Sequence, residues 1–269
     1  MVLGVTTKRG WRTAFATSIG TSHQKNGTLC QDAGRCMVVE AADGTEVLVI
    51  AVSDGAGTAS RSDVGSALAV EHFLDRFSQA VRSHPDLDTI DRTFVGQWFG
   101  DVRSTICQQA ETDGADVKDY ACTMLGMVVG LSAAAYVQIG DGAMVVSGEE
   151  PGEYNWIFWP QHGEFANSTY FVTQDGAETV LQFETGPAVD EVAVFSDGIE
   201  RLVLDMSSKA VHSPAFQPIF EWLAGTEPDR SDAPSTALVA YLGSEHVNRR
   251  TDDDKTLVMA TRAMPPVQA

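Results

Sequence analysis

Cysteine is scarce in this 269-residue chain. Cys30, Cys36, Cys107 and Cys122 lack the CxxC pairing of a zinc site and are too few for a disulfide scaffold. All four are read as reduced thiols, with Cys107 and Cys122 in the core. Basic side chains are also few: 18 Lys and Arg stand against 37 Asp and Glu, a formal net charge of -19. Such a surface repels nucleic acid and anionic membranes, which excludes both as partners. No apolar run is long enough to span a bilayer. The N-terminus has no basic segment followed by an apolar stretch of signal-peptide length, so the expected location is cytoplasmic. Repeats, low-complexity tracts and Pro-, Gly- or Ser-rich linkers are missing too. Residues 1–262 therefore read as one domain and 263–269 as a frayed tail. None of the six histidines stands at a metal-ligand spacing from another.

What is present is a hydrophobic share of 43% with 20% charged residues, the composition of a globular protein with a sizeable core. The chain is organised around residues 46–57. Residues 47–52 are apolar and read as a buried strand, which breaks abruptly into Ser53, Asp54, Gly55, Ala56 and Gly57. The pattern returns where residues 136–139 run into Gly140, Asp141 and Gly142, and where residues 192–195 run into Ser196, Asp197 and Gly198. A single Asp-Gly is an ordinary turn. Three of them on apolar strands, joined by Asp252, Asp253 and Asp254 near the C-terminus, would gather carboxylates in one small volume. That is tolerable only if cations neutralise them. Oxygen ligands without His or Cys select Mg2+ or Mn2+, and a pair of such ions suits phosphoester hydrolysis by an activated water.

The remaining chain supplies a scaffold. Strands are expected at residues 13–19 and 35–40, the second turning through Asp43-Gly44 into the central strand, with a polar loop at 20–29. Ser62 reads as the N-cap of a helix ending near His84, and a second helix is expected over 89–112. Strands follow at 121–129, 133–139, 143–147, 154–159 and 169–173, with Trp156 and Phe158 packing on one face and a polar loop over 161–168. After the strand at 192–195 come a short helix at 199–204, helices at 214–224 and 234–247 joined by a loop with Pro228, Asp229 and Ser231, and a last strand at 256–261. Two consecutive long helices between strands argue for antiparallel sheets covered by helix pairs, an α+β protein.

The ordered set Asp54-Gly55-Ala56-Gly57, Cys122-Thr123, Gly140-Asp141-Gly142, Ser196-Asp197-Gly198 and Asp253-Asp254-Lys255-Thr256 resembles the protein phosphatase 2C family of metal-dependent serine/threonine phosphatases. It does so over nearly the whole chain. Gly20 to His23 and Cys30 to Ala33 resemble its bacterial branch. The resemblance implies a four-layer α-β-β-α sandwich and two core Mn2+ or Mg2+ ions, with a looser third. It implies that Asp54 bridges the two, that Asp197 and Asp253 complete the first ion's ligands, and that the Gly55 carbonyl serves the second. Asp141 matches the ligand of the third, and Asp32 holds a metal-ligated water by hydrogen bonding. Phosphorylated proteins, a cognate serine/threonine kinase system and a monomeric state follow from the same likeness.

The chain also departs from the family. Gln31 stands where many members carry Glu, which removes a negative charge beside the second ion and predicts weaker binding there. Ala56 stands where eukaryotic members often place a His as general acid. Gly27 falls where the family's phosphate-binding Arg would lie, leaving His23 or Lys25 as the cation near the phosphate. Gln31 and Ala56 keep a second reading open, a catalytically impaired phosphatase-fold module that binds or senses a partner. A calcium-stabilised structural domain explains only residues 251–255, because the glycine and trailing Glu of a calcium loop do not follow.

Overall fold

The computed structural model describes residues 10–161, 169–226 and 232–262. The polar loop at 162–168, the residues Pro228, Asp229 and Ser231, and the C-terminal tail lie outside them. In chain order the elements are β1 (Arg12–Ser18), α1 (Thr21–Asn26), β2 (Ala33–Glu40), β3 (Glu46–Ser53), α2 (Ser62–Ser83), α3 (Arg92–Asp113), β4 (Met124–Val129), β5 (Ala133–Ile139) and β6 (Ala143–Ser147). They continue with β7 (Tyr154–Trp156), β8 (Gln182–Pro187), β9 (Glu191–Phe195), α4 (Asp197–Val203), β10 (Leu204–Asp205), β11 (Ala210–Val211), α5 (Ser213–Ala224), α6 (Ala233–Leu242), α7 (Glu245–Asn248) and β12 (Lys255–Thr261).

Two five-stranded antiparallel sheets form, in the orders β2-β3-β4-β5-β8 and β1-β12-β9-β6-β7. Their residue pattern explains why they stack. Successive side chains on a strand point to opposite faces, and in β3 both sets are apolar. Val47, Val49 and Ala51 pack beneath α2 and α3, whereas Leu48, Ile50 and Val52 face the second sheet. The other sheet behaves alike: in β12, Val258 and Ala260 enter the space between the sheets, while Leu257 and Met259 meet α5 and α6. Every residue of β12 is buried, so this strand shows no alternation of burial. The result is the four-layer α-β-β-α sandwich. On the α2/α3 side, the Phe73 ring stands edge-on to Trp98 at 5.3 Å between centroids, a favourable aromatic geometry.

Several local expectations are corrected. Residues 20–29 are not all loop: α1 forms there with no buried residue. It is held instead by tertiary bonds, among them Ser22 N–H and Oγ on the Asp252 carbonyl. Ser62 does not cap α2 but opens it, with its Oγ donating to the Ala59 carbonyl. The cap of α3 is Asp91, whose carboxylate accepts the Phe94 N–H at 2.7 Å. Cys107 is exposed, because it falls on the outer face of α3; Cys122 is buried as expected. Trp156 is 37% exposed and its indole donates to the Lys209 carbonyl, so it closes the β10–β11 hairpin rather than packing in a core. Residues 169–173 are irregular backbone that enters a turn at 172 and 173, not a strand. The helix expected over 234–247 is broken at Gly243 and Ser244 into α6 and α7.

Candidate metal centre

Topology brings the acidic endings together. β3 and β5 both pair antiparallel with β4, so they run the same way and their C-terminal ends lie at one edge. In the facing sheet β9 pairs antiparallel with β12, which sets the end of β9 beside the start of β12. Asp54 follows β3, Asp141 follows β5 one residue after Gly140, Asp197 opens α4 after β9, and Asp253 precedes β12. One carboxylate oxygen from each of Asp54, Asp141 and Asp197 falls within 4.8 Å of the others. Asp253 stands outside that trio on the more exposed rim, yet close enough to Asp197 to feel its charge. Asp141, expected as the ligand of a looser third ion, belongs to this trio.

Backbone contacts pin this arrangement. Asp54 N–H donates to Thr123 Oγ1, and Thr123 N–H returns a bond to the Asp54 carbonyl. Gly55 N–H donates to the Gln31 carbonyl, while the Gly55 carbonyl accepts nothing among the described residues. A Cβ on Gly55 would stand 2.6 Å from that Gln31 oxygen and 2.8 Å from Ser62, so only glycine lets the two segments meet. Gly198 is tighter still: a Cβ would lie 1.9 Å from the Asp254 carbonyl.

Electrostatics mark the same place. Burial is the main reason that the Asp54 carboxyl lies well above the usual range, with Asp32 and Asp197 adding to it. Burial likewise raises Asp197, Asp141 and Asp253, each further lifted by a neighbouring carboxylate. Asp32 is pushed up to about 7 by burial against the counter-effect of its Ser196 hydrogen bond. That bond runs from Ser196 Oγ to Asp32 Oδ2 at 2.7 Å, and Ser196 Oγ in turn accepts the Thr256 N–H. Each of these shifts favours the protonated carboxyl over the bare anion, and a bound cation would reverse that preference. Buried oxygens without a hydrogen-bond partner among the described residues, Asp141 Oδ1 and Asp32 Oδ1 among them, point to the same deficit. An all-oxygen donor set with no His or Cys among its members fits hard divalent ions. Burial and then Asp254 push the thiol of the neighbouring Cys30 up to about 12, which disfavours its nucleophilic thiolate.

Lys25 is exposed on α1, and His23 beside it bonds to Asp254. Three participants have no role assigned to them from sequence. Glu200 is buried, has an unpartnered Oε1, and is raised to about 7 by burial, Asp197 and Asp141. Its spacing of three from Asp197 on a short helix was the available signal. Asp254 accepts the backbone N–H groups of Gly20 and Gln31, each at 2.6 Å. Lys255 is fully buried with its Nζ on the Asp253 carbonyl at 3.0 Å. In a run of three aspartates, composition does not say which one turns inward.

Residues 19–243 match the family model described as Protein phosphatase 2C. The chain is 35% identical over 251 residues to serine/threonine-protein phosphatase 3 of Escherichia coli strain K12, covering 93% of this chain and 98% of that one. Among solved structures, the serine/threonine phosphatase Stp1 of Staphylococcus aureus is similar at TM-score 0.62 and 14% identity, over 93% of this chain and 94% of that one. The catalytic domain of the serine threonine protein phosphatase PstP, in complex with 2 manganese ions, is similar at TM-score 0.57 and 15% identity, over 94% and 98%. At such identities the structural likeness concerns the fold.

Proposed function

The chain belongs to the protein phosphatase 2C family, and from that premise we propose that it hydrolyses phosphoserine and phosphothreonine in proteins, with Mn2+ or Mg2+ as cofactor. The observation that carries this reading is the convergence of Asp54, Asp141 and Asp197 oxygens within 4.8 Å from strand ends of both sheets. Two divalent cations, when bound, supply Lewis acidity toward phosphate oxygens and make water a nucleophile near neutral pH.

The chain's own residues divide the remaining work. Asp54, Asp197 and Asp253, with the Gly55 carbonyl, would hold the core ions, and Asp141 would hold a further one. Asp32, steadied by Ser196, accepts a hydrogen bond from the attacking water through its unpartnered Oδ1. His23 and Lys25 bring positive charge to the phosphate dianion. The substrates are phosphoproteins made by a cognate serine/threonine kinase, and the enzyme works as a cytoplasmic monomer. No helix among the described residues is long and apolar enough to cross a membrane.

The test is release of phosphate from a chromogenic monoester and a phosphoserine peptide with Mn2+, with and without chelator. Wild type turns over only with the ion, and Asp197→Ala loses turnover by at least about 100-fold, as expected when an ion that activates water is lost. Turnover that survives complete chelation defeats the reading. Intact Mn2+ binding without turnover by wild type would leave the impaired, partner-sensing module in its place.

A further inference from the structure

Hydrolysis of a phosphoserine expels an alkoxide, a far poorer leaving group than an aryl oxide, so a proton must reach Oγ as the bond to phosphorus breaks. Building on the phosphatase reading above, we propose that His23, oriented by Asp254, delivers that proton.

His23 Nδ1 lies 2.9 Å from Asp254 Oδ2, with the two side chains 15% and 3% exposed. The acceptor does not depend on the imidazole for its position. Its Oδ1 is fixed by Gly20 N–H and its Oδ2 by Gln31 N–H. The ring is thus held against an anchored carboxylate, which commits Nδ1–H and leaves Nε2 as the atom able to give or take a proton. Nε2 meets no hydrogen-bond partner among the described residues. Asp254 is the chain neighbour of Asp253 and donates its N–H to Asp253 Oδ1 at 2.9 Å, which places the ring at the rim of the metal centre.

Several of the other groups at this edge are otherwise engaged. The four aspartates that gather there are ligands, Asp32 is bonded to Ser196, and the Lys255 ammonium is turned to the Asp253 carbonyl. In the step itself the water oxygen forms a bond to phosphorus while the P–Oγ bond breaks. The electron pair of that bond stays on Oγ, which takes the proton from His23 Nε2. The surplus proton of the water leaves with phosphate or to solvent, and the imidazole regains its own from solvent. Asp254 keeps its charge throughout and acts only by positioning.

The experiment compares Mn2+-loaded wild type, His23→Ala and His23→Gln on a phosphoserine peptide and on p-nitrophenyl phosphate. The aryl oxide needs little help to leave; the serine alkoxide needs much. The expected fall in kcat on the peptide is about 100-fold or more, with a much smaller fall on the aryl ester, so that the ratio of the two drops at least about tenfold. Added imidazole restores part of the peptide turnover of His23→Ala, and Mn2+ affinity read by electron paramagnetic resonance stays at the wild-type level. Equal losses on both substrates, no loss on either, or weakened Mn2+ binding in His23→Ala overturns the proposal. So does a wild type active on the aryl ester alone. Failure of the phosphatase reading looks different, since wild type would then release phosphate from neither substrate.

Discussion

Gln31 shows how one atom changes sides between sequence and structure. From sequence it is a missing negative charge beside the second ion. In the fold its Nε2 donates to the Ala59 carbonyl at 3.2 Å, its N–H holds Asp254, and its carbonyl holds Gly55. Gln31→Glu would add a ligand charge but set a carboxylate against the Ala59 oxygen. We expect the ion-free variant to melt roughly 2–4 °C below wild type, from the loss of about 1 kcal/mol at one hydrogen bond. Saturating Mn2+ should close or reverse that gap, and thermal melts with chelator and with Mn2+ measure both arms. Asp54, Asp141 and Asp197 were legible because each ends an apolar strand in Asp-Gly. Glu200 and Asp254 were not, because their roles depend on which way a side chain turns after the sheets have stacked.

At the scale of elements, strands buried on both faces announced themselves and edge pieces did not. β8 carries Phe183 among polar residues and ends in Gly-Pro, and it pairs only with β5 at the margin of its sheet. An edge strand needs no alternation and tolerates proline, so no pattern marks it. α1 was hidden for a related reason: with nothing apolar to bury, its existence rests on bonds to residues more than two hundred positions away. The start of α4 is a sharper matter. Because a Cβ on Gly198 would lie 1.9 Å from the Asp254 carbonyl, Gly198→Ala must push the helix from the segment of Asp253 and Asp254 that leads into β12. A loss of about 1–3 kcal/mol is expected from such overpacking. Urea unfolding checks it, and Mn2+ titration should show weaker binding alongside.

For the whole molecule, the carboxyls of the metal centre tie stability to pH in a direction set by the ions. In the ion-free protein the carboxyls of Asp54, Asp197, Asp141 and Asp253 lie above their ordinary values, and Asp32 and Glu200 are raised to about 7. A raised folded value means that the stabilising contribution is complete below the unfolded value and lost as pH rises through the folded one. The chelated protein should therefore lose melting temperature from about pH 4 to about pH 7, the window spanned by unfolded and folded carboxyl values. Mn2+ binds the deprotonated form, so the loaded protein should show the opposite slope or none. Parallel melts across that range decide the matter, and a chelated protein that gains stability as pH rises contradicts it.

β1 pairs with β12, and Asp254 clasps Gly20 across 234 positions of chain. During synthesis β1 and Gly20 leave the ribosome long before the residues that hold them, so the N-terminal edge of this sheet must wait for its partner. The acidic cluster can be closed off on this side only after β12 has emerged.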